Sequence, residues 1–126
     1  MVFDTDVLIW TQTGNLAAAT LLDDTQERYI SLQTYLELLQ GAKNKKEQEH
    51  IKDFLVSFKF VILPLTPSIG QNAARYIEQY ALSSGLRAGD AIIAATAVEN
   101  NKILGTANIK HFRVIQELTL EVFKPV

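Results

Sequence analysis

The chain has no cysteine, which removes disulfides, thiol nucleophiles and thiolate metal sites from consideration. It has only two histidines, His50 and His111, too far apart in sequence to suggest a histidine-rich zinc site. Proline and glycine are scarce, at three and six residues, so neither a collagen-like repeat nor a Pro/Gly-rich disordered tract fits. The longest apolar run, around Ala91 to Val98, falls far short of the roughly 20 residues that a membrane-spanning helix needs, and no membrane partner is expected. The opening MVFDTD lacks a basic stretch leading into an apolar one; a secretory leader is therefore not expected, and the expected location is the cytoplasm. Neither sign of charge dominates. Twelve basic and 14 acidic residues give a net charge of −2, so the overall field does not mark a nucleic-acid binder. Also absent are GxSxG, the P-loop, GxGxxG and HExxH, and with them the familiar serine-hydrolase, nucleotide-binding and zincin chemistries.

What is present is an ordinary globular composition, 48% hydrophobic over 126 residues, which suits one domain spanning the whole chain. Val2 and Phe3 form a short strand candidate running into Asp4, followed by a helix through Val7 to Trp10 that ends by Gly14. A second helix is expected over Leu16 to Leu22, and a strand over Tyr29 to Ser31. Leu32, Tyr35, Leu36 and Leu39 then recur at the spacing of an amphipathic helix, with Gly41 as a stop. A charged helix through Ile51, Phe54, Leu55 and Phe58 leads to a strand from Phe60 to Leu63, expected to be buried. Pro67 suits a helix start, and Ile69, Ala73, Tyr76, Ile77 and Tyr80 mark that helix's inner face, which Gly85 terminates. The next helix, from near Asp90, is apolar almost all round and is expected to be buried on every side. Ile103 and Leu104, then Leu120 to Phe123, supply two further strands. Short apolar strands alternating with longer helices point to an α/β fold with a central parallel sheet.

Acids are the strongest candidates for chemistry. Asp4 lies where a strand meets a helix, the side on which ligands bind in open α/β sheets, but aspartate is also a preferred N-cap. Asp6, two residues on, suits the helix dipole and reads as structural. Glu37 lies off the apolar stripe of its helix and, by itself, reads as a solvated carboxylate. Asp90 also has a capping role open to it, yet an acid at the mouth of a buried helix faces a cleft or needs a partner. If these carboxylates converge, their repulsion calls for a divalent cation, and oxygen-only ligands favour Mg²⁺ or Mn²⁺. Lys102, Lys110 and Arg113 form one basic stretch, and Lys43, Lys45 and Lys46 another; each reads equally as a solvated face.

Four segments, FDTDVLIW, TYLELLQGAK, GLRAGDAIIAATAVENN and ILGTANIKHF, in this order and spacing, resemble the PIN-domain family, specifically VapC-type ribonuclease toxins. The resemblance covers essentially the whole chain. It implies a three-layer α/β/α sandwich with a central, mainly parallel sheet, and an acidic Mg²⁺ site, with Mn²⁺ as an alternative, that cleaves RNA. It also implies a silencing antitoxin partner of the VapB type and a homodimer. By this resemblance Asp4 is the first acid, Glu37 the glutamate of the ELLxG motif and Asp90 the acid of the DAxIAA motif. All three are then expected to hold metal and carry catalysis. Thr106 and Asn108 match the TxN element and, with Lys110, His111 and Arg113, are expected to contact substrate; turn chemistry is the structural alternative for Thr106 and Asn108. Lys102 is expected to help attract RNA.

The chain departs from the family at the last motif. Relatives often supply a fourth acid there, at the place of Asn108 or of His111, and neither is a carboxylate here. The missing acid supports an alternative reading, a PIN-fold binding module with weakened catalysis. A phosphatase of the haloacid-dehalogenase type, suggested by VFDTDV, is disfavoured because GDAIIA lacks a second acid. For the homodimer, Trp10, Tyr76, Tyr80 and the apolar residues of the second helix are the candidate surface, with burial in the core as the competing reading.

Overall fold

A computed structural model describes residues 1–125. Five strands, β1 (Val2–Phe3), β2 (Tyr29–Ser31), β3 (Val61–Leu63), β4 (Leu104–Thr106) and β5 (Leu120–Val122), form one sheet in the order β3-β2-β1-β4-β5. Every pairing is parallel, with Val2 opposite both Tyr29 and Leu104. Seven helices accompany them: α1 (Thr5–Gln12), α2 (Leu16–Asp24), α3 (Leu32–Gly41), α4 (Lys45–Ser57), α5 (Pro67–Ser84), α6 (Ala88–Glu99) and α7 (Ile109–Phe112). No helix among the described residues is long and apolar enough to cross a membrane.

Side chains alternate across a strand, and that alternation divides the core into two. Val2 and Leu104 pack with Ile69, Tyr76 and Ile93 from α5 and α6. Phe3 and Ile30 pack on the other face with Val7, Leu22, Leu38 and Leu55 from α1 to α4. The result is the expected α/β/α sandwich. Helix starts carry side-chain caps from Asn15, Ser31, Asn44 and Thr66, each accepting a backbone N–H of its own first turn. Gly85 ends α5 at φ 75°, a left-handed conformation that suits glycine.

Several expectations need correction. The strand at 61–63 lies at the sheet edge, and only Leu63 of its three residues is buried. The strand expected at Ile103 and Leu104 runs instead from Leu104 through Gly105 to Thr106, all buried, while Ile103 is exposed. Glycine and threonine give no hydrophobic signal, so the pattern stopped two residues early. Asp90 stands inside the first turn of α6, and its helix begins at Ala88. The short helix α7, anchored by fully buried Phe112, was not expected. Tyr76 is fully buried and belongs to the core, which removes it from any dimer surface; Trp10 and Leu16 remain exposed and Tyr80 is half-buried.

Candidate active site

The strand order reverses direction between β1 and β4, since β1, β2 and β3 extend one way and β4 and β5 the other. In open parallel sheets the ligand crevice lies at such a switch point, outside the carboxyl ends of the strands. Asp4 follows β1 there, and Thr106 ends β4. The Asp4 amide donates to Gly105 O at 2.8 Å, extending the ladder and bringing the two side chains together. Thr106 Oγ1 then donates to Asp4 Oδ2 at 2.7 Å, while Asp4 Oδ1 accepts from Thr5 N at 2.8 Å and so caps α1. The structural alternative for Thr106 and Asn108 is realised locally, because Asn108 N donates to Thr106 Oγ1 at 2.9 Å.

Asp6, read from the sequence as a dipole partner, belongs to the same cluster. One of its oxygens accepts from Ala107 N at 3.2 Å, across the end of β4, and the other, Oδ1, is buried with no hydrogen-bond partner. Burial raises the Asp6 pKa; the Ala107 amide, and less strongly the neighbouring Val7 amide and Asp4, hold it down, while the charge of Asp90 adds a little to the rise. Asp4 is only 6% exposed. Burial, then the charge of Asp6, and to a smaller degree that of Asp90, push its pKa up to about 8 against the hydrogen bonds from Thr106 and Thr5. Asp4 thus feels the charges of both Asp6 and Asp90 with too little water to screen them.

Glu37 reaches the edge of this cluster by a different route. Its Oε1 accepts from Thr5 Oγ1 at 2.5 Å, and its Oε2 from Gln33 Nε2 at 2.9 Å. The Thr5 hydroxyl also stands 3.0 Å from Thr34 Oγ1, so α1 and α3 are tied through polar groups beside Asp4. Glu37 lies against the backbone of α6 because residue 89 is glycine; a Cβ there would stand 2.6 Å from Glu37 Oε2. Glu37 is therefore engaged by Thr5 and Gln33. Among the described residues, no three carboxylate or imidazole side chains are already gathered closely enough to ligate one ion.

Asp90 Oδ2 accepts from Arg87 N at 3.4 Å and stands 3.1 Å from His111 Nδ1. The same ring nitrogen lies 2.9 Å from Asn108 Nδ2. Asp90, His111 and Asn108 are thus linked through a single ring nitrogen. Lys110 and Arg113 are exposed on and just after α7. Lys102 is elsewhere. It precedes β4, at the opposite end of the sheet, with its ammonium 4.2 Å from the Tyr29 ring centre, so the expected basic stretch is split by a strand and Lys102 cannot attract a ligand to this site.

Two open hollows flank the carboxylates. One, of about 620 Å³, lies between α1, α3 and α4 beside Glu37, with Ile9, Lys43, His50 and Phe54 in its walls. The other, of about 470 Å³, lies between the end of α5 and α7, with Lys110 and Arg113 in its wall. The hard oxygen donors, the orphaned Asp6 oxygen and the crowded charge together fit a small divalent cation such as Mg²⁺ or Mn²⁺. Asp6 was read from the sequence as structural, and Thr5 and Gly89 were not singled out; the structure places all three beside Asp4 or Glu37, and the DxD spacing at residues 4 and 6 is the one local signal for it.

Comparison with known proteins agrees with this fold. The PIN domain family matches residues 1–117. A curated relative, "Ribonuclease VapC10" of Mycobacterium tuberculosis, is 30% identical over 122 residues, covering 94% of this chain and 90% of its own. Among solved structures, a chain of a toxin-antitoxin complex from Klebsiella pneumoniae is 31% identical, with a TM-score of 0.78 over 99% of this chain and 97% of that one. A chain of VapBC2 from Rickettsia felis, bound to a promoter DNA fragment, shares the fold at 23% identity and a TM-score of 0.78, covering 98% of this chain and 100% of that one.

Proposed function

This chain belongs to the PIN domain family, and from that membership we propose that it is a Mg²⁺- or Mn²⁺-dependent endoribonuclease, the toxin of a toxin–antitoxin pair. The observation that carries the reading is the crowding of Asp4, Asp6 and Asp90 at the switch point, with one buried carboxylate oxygen left without a partner. A divalent ion bound there supplies Lewis acidity to a phosphate and a more acidic water. Asp4, Asp6 and Asp90 are the residues that would hold it. Thr106 fixes the orientation of Asp4, and Thr5 fixes that of Glu37, which stands ready at the cluster's edge to orient a water or complete the shell. Asn108 and His111 face the same mouth from the side of α7 and are suited to align a phosphate oxygen.

The partners follow from the relatives. A curated relative carries the name of a ribonuclease, and similar solved chains come from toxin–antitoxin complexes, which supports RNA as substrate and a VapB-like protein as inhibitor. A homodimer and a cytoplasmic location complete the reading; of the residues expected at the dimer surface, Trp10 and Leu16 are exposed.

The test is purified, partner-free protein incubated with total RNA, with EDTA or with either metal, beside Asp4→Asn. Cleavage by the wild type with metal alone supports the enzyme. Equal cleavage by both proteins, or none by either, overturns it. The second outcome favours a binding module with weakened catalysis, a reading supported by the imidazole that replaces a fourth acid.

A further inference from the structure

Three hydroxyl groups lie in a row beside Glu37, and of these the Thr5 hydroxyl alone bonds to it. Ser31 and Thr34 are fully buried, and Thr5 nearly so. Thr34 Oγ1 stands 3.0 Å from Thr5 Oγ1 and 3.2 Å from Ser31 Oγ, and Thr5 Oγ1 stands 2.5 Å from Glu37 Oε1. The row joins three elements: Ser31 closes β2, Thr34 lies in the first turn of α3, and Thr5 opens α1.

Ordinary structural roles explain part of this. Ser31 caps α3, its Oγ accepting from Thr34 N at 2.9 Å, and a buried threonine fills apolar space with its methyl group. Neither role uses the hydroxyl hydrogens, and a buried hydroxyl without a partner costs free energy, so each hydrogen needs an acceptor. A hydroxyl has one hydrogen to give. A carboxylate only accepts, and a charged acceptor takes the hydrogen ahead of a neutral one, so the Thr5 hydrogen goes to Glu37. The hydrogen in the contact between Thr5 and Thr34 then comes from Thr34, and that between Thr34 and Ser31 from Ser31. Reversal is blocked at the far end. Were Thr34 to donate to Ser31 Oγ, which already accepts from Thr34 N, the Ser31 hydrogen would have no acceptor among the described residues. The three donors therefore point one way, each polarising the next, toward Glu37 Oε1.

We propose that Ser31 and Thr34 are positioning residues for catalysis: their hydroxyls, in series with that of Thr5, form a one-way chain of hydrogen bonds that holds Glu37 Oε1 at the edge of the aspartate cluster. This rests on the ribonuclease reading. With Gln33 on Oε2, one donor engages each oxygen, and the remaining lone pairs stay free for a water or a cation. A flexible side chain thereby takes its aim from the end of β2. Loss of an aim that matters in the transition state lowers kcat and leaves KM in place.

The test uses the whole protein with Thr34→Val, which keeps the side chain's shape and the Ser31 cap and removes the middle link. In metal-free protein the carboxyl carbon resonance of Glu37 is expected to move while those of Glu99 and Glu121 stay. With Mn²⁺ and a fluorescent oligoribonucleotide, kcat is expected to fall about tenfold with KM within about twofold, and Thr34→Ser to restore it. In a Glu37→Gln background, Thr34→Val should cost less than about twofold more, since a residue that acts through another has nothing further to lose. Ser31→Ala removes the first link together with the cap; it should lower the melting temperature and move the Glu37 resonance in the same direction, and it carries the test if Thr34→Val does not fold. Losses that multiply in the double variant, equal loss in Thr34→Ser and Thr34→Val, or a Glu37 resonance unmoved by either break overturn the chain while the enzyme stands. A wild-type protein that cleaves no RNA overturns the ribonuclease reading and the catalytic role with it; the resonance then still decides whether the chain holds Glu37.

Discussion

The N-terminal edge of the sheet carries charge that is already partnered. The Met1 ammonium donates to Glu27 O at 3.0 Å, the Arg28 guanidinium donates to Leu22 O and Phe58 O at 2.9 Å each, and Lys102 lies over the Tyr29 ring. The C-terminal edge of the same sheet is built from repulsion. Asp6 and Asp90 raise the pKa of buried Asp4, and Asp6 Oδ1 has no hydrogen-bond partner. The same short strands run to both ends, so the sheet itself imposes no such difference. Buried, uncompensated carboxylates cost free energy, and under the proposed function a bound cation is what would offset that cost.

Removing one aspartate should break this contrast most strongly. Asp4→Asn is expected to lower RNA cleavage by ~10²–10³-fold, the scale for loss of one electrostatic stabiliser of a transition state. The same variant should be at least as stable as the wild type without metal. The sign follows from linkage: an acid raised from 3.8 to about 8 contributes most below its unfolded value, and its contribution fades as pH rises through the folded value. Metal-free wild type should therefore melt at lower temperature as pH rises from about 5 to about 9, and Asp4→Asn should flatten that dependence. A melting curve equally steep in both proteins would show that Asp4 is not the group responsible.

Gly89→Ala tests the approach of Glu37 to α6. The added Cβ meets the flexible ends of Glu37 and, at 3.2 Å, of Gln33, so the fold should hold while both side chains are displaced. Activity should fall by roughly 10–100-fold, as for other changes to outer-shell partners, with little change in melting temperature. Full activity would mean that the position of Glu37 does not matter. Thr106→Val removes the donor to Asp4 and the acceptor for Asn108 N, and should cost about tenfold in activity, with Thr106→Ser restoring it. Equal loss in both variants would point to packing and away from the hydroxyl.

The smallest effect should come from the other end of the sheet. Lys102→Gln removes a cation over an aromatic ring, worth about 0.5–1 kcal/mol at an exposed site, and should leave RNA cleavage within about twofold. A large loss of cleavage would mean that RNA reaches the N-terminal edge, and the division between the two ends would fail.

Much of the fold was legible in order and period. Tyr29 to Ser31 was readable as a short strand, and the period of Leu32, Tyr35, Leu36 and Leu39 correctly marked α3 as a helix, but that stripe did not mark its buried face, which carries Thr34 and Leu38 while Leu36 is exposed. Strand ends were less legible. Gly105 and Thr106 complete β4 without a hydrophobic signature, and Val61 and Ile62 resemble core residues although they lie on an edge strand. Local apolarity shows that a strand exists; its neighbours decide how much of it is covered.

The amino-acid sequence by itself determined the α/β class with a parallel sheet, the element order, and the placing of acids at element starts, because periodicity and turn chemistry are local properties; the three-layer sandwich came from the family resemblance. Tertiary structure alone decided which acids meet. Asp6 reads in sequence as a dipole partner, and it joined the cluster because β4 lies beside β1 and offers the Ala107 amide. Lys102 and Lys110 are near neighbours in sequence, yet β4 stands between them and carries the chain roughly 10 Å from one edge to the other at about 3.3 Å per residue. Glu37 faces Asp90's helix only because Gly89 leaves room for it. In each case the deciding interaction joins residues remote in the chain, and no local pattern encodes that distance.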